Sequence, residues 1–245
     1  MTAFVLTDPQ GQVKDREQLD LYDGYLALGL PTQFFRETDF YIGKVPITNK
    51  DVFGGHVNIC RQIWKNFKIK EPDVPDYPEV LEHYFGRKIW KCQLWQFYNL
   101  LKENENFGKT YFVKPVKNKI FTGYTCVTVQ DLNQIGHVSY STNVYVSTYV
   151  KFDAEYRAYV YKNKIVDVFR YWGDNWQTVI DRVTVEKMVS LLSDMPVFYS
   201  LDFAVDNLGR TLLVEINDGY ALGNYGLAPV DYAKMTMDRF QEIVL

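Results

Sequence analysis

The stretch Tyr199 to Leu227, YSLDFAVDNLGRTLLVEINDGYALGNYGL, constrains the fold more than any other part of the chain. Two apolar runs, Tyr199 to Val205 and Thr211 to Ile216, flank Asp206-Asn207-Leu208-Gly209-Arg210, a group rich in residues that tolerate turn backbone angles. The pattern predicts a β-hairpin. With Asn207 to Arg210 as its loop, Asp206 faces Thr211, Asp202 faces Glu215 and Ser200 faces Asn217. Strand side chains alternate, so Leu201, Phe203, Val205, Leu212, Val214 and Ile216 line an apolar, core-facing side. The other side carries Ser200, Asp202, Ala204, Leu213, Glu215 and Asn217. Directly opposed Cβ atoms lie about 5 Å apart, where two carboxylates repel each other and a cation relieves the repulsion. Asp, Glu and Asn offer oxygen ligands, the set that suits Mg²⁺ or Mn²⁺ completed by substrate phosphates. The alternative is a solvent-exposed polar sheet edge, because a one-residue slip in register separates the three groups.

The remainder of the chain limits what such a site can serve. At 245 residues, 47% of them hydrophobic, it has the length for one large domain or two small ones and an ordinary globular composition. A net charge of −3 argues against nucleic acid as the main partner, while leaving room for a local basic site for a nucleotide. Cys60, Cys92 and Cys126 are odd in number and widely spaced, which suggests neither a disulfide framework nor a CxxC metal site. The opening MTAFVLTD is soon interrupted by polar residues, and no apolar run approaches the roughly 20 residues of a membrane helix. A cytoplasmic, reducing location and no membrane partner are therefore expected. His56, His83 and His137 share no motif with one another or with a cysteine.

Ala3 to Thr7 reads as a buried strand, and Leu19, Tyr22, Tyr25 and Leu26 recur at helical spacing before Gly29-Leu30-Pro31. Gln33 to Phe35 suggests a second strand. Val57, Cys60, Ile63, Trp64 and Phe67 place an apolar stripe on a helix after Gly54-Gly55, a pair that fits a turn and cap or a close backbone approach to a ligand. Neither GxGxxG nor GxxxxGK[ST] occurs, so no Rossmann or Walker loop is available. Lys70 to Pro78, with its prolines, is the best linker candidate. Arg87 to Leu101 is expected as one helix with Trp90, Leu94, Phe97, Tyr98 and Leu101 inward. Lys114 ends the strand Tyr111 to Val113 and is fixed before Pro115, a rigid mount for a phosphate-binding charge; a snorkelling lysine is the other reading.

Glu155 to Trp172, EYRAYVYKNKIVDVFRYW, is a second hairpin. With Asn163-Lys164 as its turn, Lys162 faces Ile165 and Arg157 faces Arg170, on the side that also carries Glu155 and Trp172. Two opposed guanidiniums call for an anion, and a triphosphate fits their forked donors. Otherwise Glu155 or Asp167 neutralises one of them. Val185, Met188, Val189 and Leu192, and then Tyr232, Met235, Phe240 and Ile243, mark two further helices that back a sheet.

Taken together, the Asp, turn, Glu-x-Asn pattern of Asp202, Glu215 and Asn217 and the strand-end Lys114 resemble the ATP-grasp superfamily, whose members hold Mg-ATP between two α+β lobes. Arg157, Arg170 and Lys114 resemble the marker set of a divergent bacterial and phage clade of that superfamily. The resemblance implies an α+β fold: a small pre-ATP-grasp α/β domain over residues 1–78, then an ATP-grasp domain over 79–245 with lobes 79–150 and 151–245. It implies Mg²⁺ (or Mn²⁺) on Asp202, Glu215 and Asn217, and ATP phosphates on Lys114, Arg157 and Arg170, with Arg87 as a further candidate. Tyr145, Val146 and Ser147 are the implied hinge, lending backbone groups to adenine. Where many members carry a Gly/Ser-rich phosphate loop this chain has Lys117 to Gly123, leaving Lys119 and Thr122-Gly123 as substitutes. The implied activity is ATP-dependent joining of a small carboxylate to an amine, such as an amino acid or peptide, through an acyl phosphate. Its acceptor pocket is expected to draw on the N-terminal domain and the Gly219 to Gly226 loop. Kinase-like phosphoryl transfer and a non-catalytic nucleotide-binding module are the competing functions.

Overall fold

A computed structural model describes residues 1–244 apart from 14, 74, 75, 106, 118, 119, 175 and 176. The chain divides into a larger unit, residues 1–82 with 153–245, and a smaller one, residues 83–152. Among the described residues no helix is long and apolar enough to cross a membrane.

The larger unit begins with β1 (Ala3–Thr7), α1 (Arg16–Ala27), β2 (Thr32–Arg36), α2 (Glu37–Tyr41), β3 (Val52–Gly54) and α3 (Val57–Phe67). The three strands form a parallel sheet in the order β2-β1-β3. Every residue of β1 is buried, as befits the middle strand of a covered parallel sheet. The α3 stripe is where the spacing puts it, with Val57, Cys60, Ile63 and Trp64 buried. The α1 stripe is not: Leu19 and Leu26 are exposed, and Leu21, Gly24 and Tyr25 face inward.

The smaller unit holds β4 (Ile89–Gln93), α4 (Leu94–Asn104), β5 (Tyr111–Pro115), β6 (Tyr124–Cys126) and β7 (Asn143–Thr148). Its antiparallel sheet runs β4-β7-β5-β6. The helix expected over Arg87 to Leu101 is shorter, because residues 89–93 pair with β7 as a strand. A reciprocal capping box between Gln93 and Gln96 then starts α4 at Leu94. Leu94, Phe97 and Leu101 pack on Val113, Val144 and Val146 in a core of their own.

The chain returns to the larger unit with β8 (Phe152–Tyr161), β9 (Lys164–Trp172), α5 (Arg182–Leu191), β10 (Phe198–Asp206), β11 (Thr211–Asp218) and α6 (Pro229–Val244). Its second sheet runs β11-β10-β8-β9. Helix α6 lies against α1, where a Cβ on Gly24 would stand 2.1 Å from the Pro229 carbonyl oxygen. That close approach explains why α1 turns its glycine face inward. Phe240 of α6 packs on Phe53, ring centroids 4.3 Å apart, so the two ends of the unit share one core.

Both hairpins form, each with a register the even count misses. In β10–β11, Val205 rather than Asp206 opposes Thr211, and Asp206 instead closes the turn by accepting from Leu208 N, Arg210 N and Arg210 Nε. A bulge at Val214 then restores the expected pairs Asp202↔Glu215, Leu201↔Ile216 and Ser200↔Asn217. Its cost to the expected pattern is that Leu212 and Leu213 exchange faces. In β8–β9 the turn is Lys162-Asn163, both at positive φ (50° and 59°), the geometry of a type I′ hairpin. One bulge at Val166 leaves Arg157 opposite Phe169, and Arg170 opposite Tyr156. Arg157 and Arg170 therefore lie on opposite faces, contrary to the expected opposition. Only after a second bulge does the count recover, at Glu155↔Trp172.

Candidate active site

Asp202 and Glu215 come together at the β10–β11 end that the sequence indicates, and Asn217 joins them. Its Nδ2 donates to Asp202 Oδ2 and to Glu215 Oε1, each at 3.1 Å. The cation that two opposed carboxylates require is supplied from within the chain. Arg157 reaches across from β8 and donates through Nε to Asp202 Oδ1 (2.7 Å) and through Nη2 to Oδ2 (2.6 Å). This two-pronged pair is buried, Arg157 being 8% and Asp202 2% exposed. Burial, with Glu215 and Glu155 nearby, raises the Asp202 pKa above the ordinary carboxylate range, although Arg157 pulls the other way. For Arg157 burial disfavours the charge, but Asp202 outweighs it and holds the guanidinium protonated.

Several residues that carry no motif complete this cluster. Arg157 lies over the Tyr225 ring at 4.9 Å, and Tyr225 stacks on Tyr171 at 4.8 Å. Tyr171 donates its hydroxyl to Glu155 Oε2 (2.7 Å); burial and the neighbouring Asp202 and Glu155 raise its pKa. Tyr159 donates to the Gly223 carbonyl (2.6 Å) and accepts from Tyr225 N (3.0 Å), while burial pushes its hydroxyl up to about 12. Arg157 Nη1 also reaches Gly223 O, at 3.3 Å. The Gly219 to Gly226 loop is thus tied to the carboxylates through Arg157 and two tyrosines. On its other side Arg239 of α6 forks onto Asp218, the residue after Asn217, through Nε to Oδ1 (2.8 Å) and Nη2 to Oδ2. Tyrosines spaced through alternating strands give no sequence signal separating such a role from core packing. Arg170, on the far face, donates to the Trp172 and Gly173 carbonyls.

In the smaller unit, Lys114 and Lys91 are the cross-strand neighbours of Tyr145, from β5 and β4 respectively. Their Nζ atoms lie 5.8 and 4.9 Å from the centre of the Tyr145 ring, and Lys114 is 8% exposed. Lys91 escapes a sequence reading that expects a helix there. Ser147 continues the same face, its Oγ buried and without a hydrogen-bond partner among the described residues. The hinge expectation for Tyr145, Val146 and Ser147 fails on topology. β7 is an interior strand, pairing these residues with Lys91, Trp90 and Ile89 on one side and Lys114, Val113 and Phe112 on the other. Their backbone groups are engaged in the ladders and face no ligand. Arg87 donates to the Phe85 carbonyl and lies over the Phe152 ring at 5.6 Å. Lys119 lies outside the described residues.

A family model described as an ATP-grasp domain, clade family 2, matches residues 84–235. The chain belongs to the ATP-grasp family. Among solved structures, this ATP-grasp chain is similar to a RimK domain ATP-grasp protein from Sphaerobacter thermophilus DSM 20745, with a TM-score of 0.59 at 12% identity over 98% of this chain and 100% of that one. It is similar also to D-alanine–D-alanine ligase from Bacillus anthracis (0.58, 11%, 100% and 98%) and to D-cycloserine synthetase DcsG (0.57, 10%, 98% and 100%). At these identities the likeness is one of fold. A comparison with curated proteins finds no match. The expected α+β ATP-grasp architecture is thereby established.

The donor chemistry of this ATP-grasp chain fits a hard divalent cation. Among the described residues no three His, Cys, Asp or Glu side chains are grouped to hold a metal. Two carboxylates and one amide instead make a partial oxygen set, the kind that Mg²⁺ completes with substrate oxygens. Asn217 donates to both carboxylates here, so ligation needs its amide turned to present Oδ1.

Proposed function

We propose that the protein is an ATP-dependent carboxylate–amine ligase that proceeds through an acyl phosphate and Mg²⁺ (or Mn²⁺). The observation that carries this reading is the convergence of Asp202, Glu215, Asn217 and Arg157 on one sheet end in a chain of the ATP-grasp family. Asp202, Glu215 and Asn217 would hold the metal, which when bound neutralises phosphate charge. Lys114, with Lys91 beside it across Tyr145, supplies fixed positive charge for the nucleotide phosphates. Arg157 has two tasks: it keeps Asp202 ionised and oriented, and it presents its remaining donor toward Gly223 and the anions of the reaction. Arg170, on the opposite face of the hairpin, serves nucleotide binding only if β9 turns another side to the phosphates than Arg157 does.

Such a reaction needs orientation and charge neutralisation rather than a protein nucleophile. The substrate carboxylate attacks the γ-phosphorus and ADP leaves. The amine then attacks the acyl carbon and phosphate leaves. The test is product analysis with ATP, Mg²⁺ and a panel of amino acids and peptides. ADP with phosphate, and a hydroxamate when hydroxylamine replaces the amine, is the expected result. AMP with pyrophosphate would exclude the acyl phosphate, and ADP with a phosphorylated product would favour the kinase reading.

A further inference from the structure

The N-terminal sheet offers a place for a second substrate. β1 is its middle strand; the chain leaves its carboxyl end for α1 and β2 on one side, while β3 on the other side leads into α3. Ligands of open parallel sheets lie outside the carboxyl ends of the strands, where connections diverge in this way. The N-caps of the two helices meet there, Asp15 Oδ2 to His56 Nε2 at 3.4 Å. Neither side chain caps its own helix, so the first amides of the eleven-residue α3 keep their donors and its positive end is unscreened.

Gln18 gives an independent sign of a ligand. It is 6% exposed, and its Oε1 is a buried acceptor without a hydrogen-bond partner among the described residues. That oxygen is turned to the strand end leading into α3, 2.8 Å from where a Cβ on Gly54 would stand. A glycine at 54 is what leaves it this space. One turn of α1 away from the α3 end, Glu17 Oε1 lies 3.3 Å from the Cβ position of Gly223, and Asp20 accepts from Asn224 at 2.7 Å. Gly223 is the residue whose carbonyl Arg157 and Tyr159 hold. The crevice therefore borders the loop that leads to Asp202, all within the larger unit.

We infer that this crevice binds a free α-amino acid as a zwitterion, its carboxylate at the amino end of α3 and its ammonium between Gln18 Oε1 and Glu17. The inference rests on the ligase reading and gives that reading its amine substrate. Anion donors and cation acceptors stand side by side here, and an α-amino acid carries both charges one carbon apart. Glu17 adjoins the loop, so the amine end is the one turned toward Arg157 and Asp202.

Calorimetric titration of the whole protein tests this with glycine, D-alanine, L-alanine, L-glutamate and L-lysine, and with acetate and methylamine as single-charge controls. Mg-ADP is titrated in parallel. At least one amino acid should bind while both controls do not. Glu17→Gln and Gln18→Leu should each weaken that binding about tenfold or more, the size of a lost charge-assisted hydrogen bond, and leave Mg-ADP affinity unchanged. Glu17 is at the surface of α1, so its variant reports even if the buried Gln18→Leu fails to fold. Mg-ADP binding without any amino acid binding, or amino acid binding undiminished in Glu17→Gln, overturns the inference alone. Loss of Mg-ADP binding in the wild type overturns the ligase reading, and this inference with it.

Discussion

Arg157→Ala is the sharpest probe of the cluster, because stability and function both depend on the same guanidinium. The substitution leaves Asp202 buried, with Glu215 beside it and only the Asn217 amide in compensation. Breaking a buried, hydrogen-bonded ion pair by removing one partner costs about 3–5 kcal/mol. The Tyr225 ring also loses its cation at 4.9 Å, a contact worth about 0.5–2 kcal/mol that overlaps with the first effect rather than adding to it. For a chain of this size, about 2–4 °C of Tm accompanies each kcal/mol, so a fall of roughly 6–20 °C is expected by scanning calorimetry. A charge-free replacement separates loss of the pair from exposure of its remnant. Arg157→Met with Asp202→Leu should recover most of the Tm, because apolar groups of similar volume replace buried ion pairs at little cost, yet Mg-dependent nucleotide binding should be absent. If Arg157→Ala melts within about 1 °C of wild type, the pair is not the buried counter-charge described here and the reasoning fails.

Four further outcomes are expected. Glu215→Gln should abolish Mg-dependent ATP binding in equilibrium titrations while leaving the protein folded, since it removes one of the proposed metal ligands and not the Arg157–Asp202 pair. Asp206→Asn should leave that binding unchanged yet lower stability: burial raises the Asp206 pKa, but Arg210 and the turn amides outweigh it and lower it overall. A depressed pKa stabilises the fold above the unfolded value, so the deficit of this variant in urea titrations should be full at pH 7 and shrink as pH falls below about 4. Lys162→Gly removes a side chain from positive φ and should raise the urea midpoint, by about 1 kcal/mol of stability. Gly219→Ala places a Cβ 2.4 Å from the Phe198 carbonyl oxygen, backbone that cannot yield, and should cost about 2 kcal/mol or more by the same measurement.

Much of this site is legible in the sequence, for reasons that differ between the hairpins. At Asp202 and Glu215 two one-residue departures cancel: the turn closes one residue later than an even count allows, and the bulge at Val214 restores the pairing beyond it. In β8–β9 the first bulge corrects only half of a larger slip, and Arg157 falls opposite Phe169. Bulges leave no composition signal, so a register counted from a turn is secure only as far as the first of them. Arg157 is a functional candidate on either count, but its partner, Asp202, emerges only in three dimensions. The helix expected over Arg87 to Leu101 shows the complementary failure, in which pairing with β7 overrides a helical spacing of apolar residues and hides Lys91. Tyr145, Val146 and Ser147 could be placed on a strand from sequence, whereas its interior position in the sheet, which removes their backbone from ligand recognition, could not.

The contact that Gly24 permits between α1 and α6 also bears on the order in which the protein is made. Asp20 and its partner Asn224 are separated by 204 residues, which at about 5–20 residues per second puts roughly 10–40 s of translation between them. Throughout that interval β1, α1 and α3 have left the ribosome without the aromatic ring of Phe240 or the backbone of Pro229 to cover them. Residues 83–152 have no such wait, since their core is drawn from one continuous segment. The smaller unit should therefore be the first to resist a protease on stalled nascent chains, ahead of the segment that precedes it.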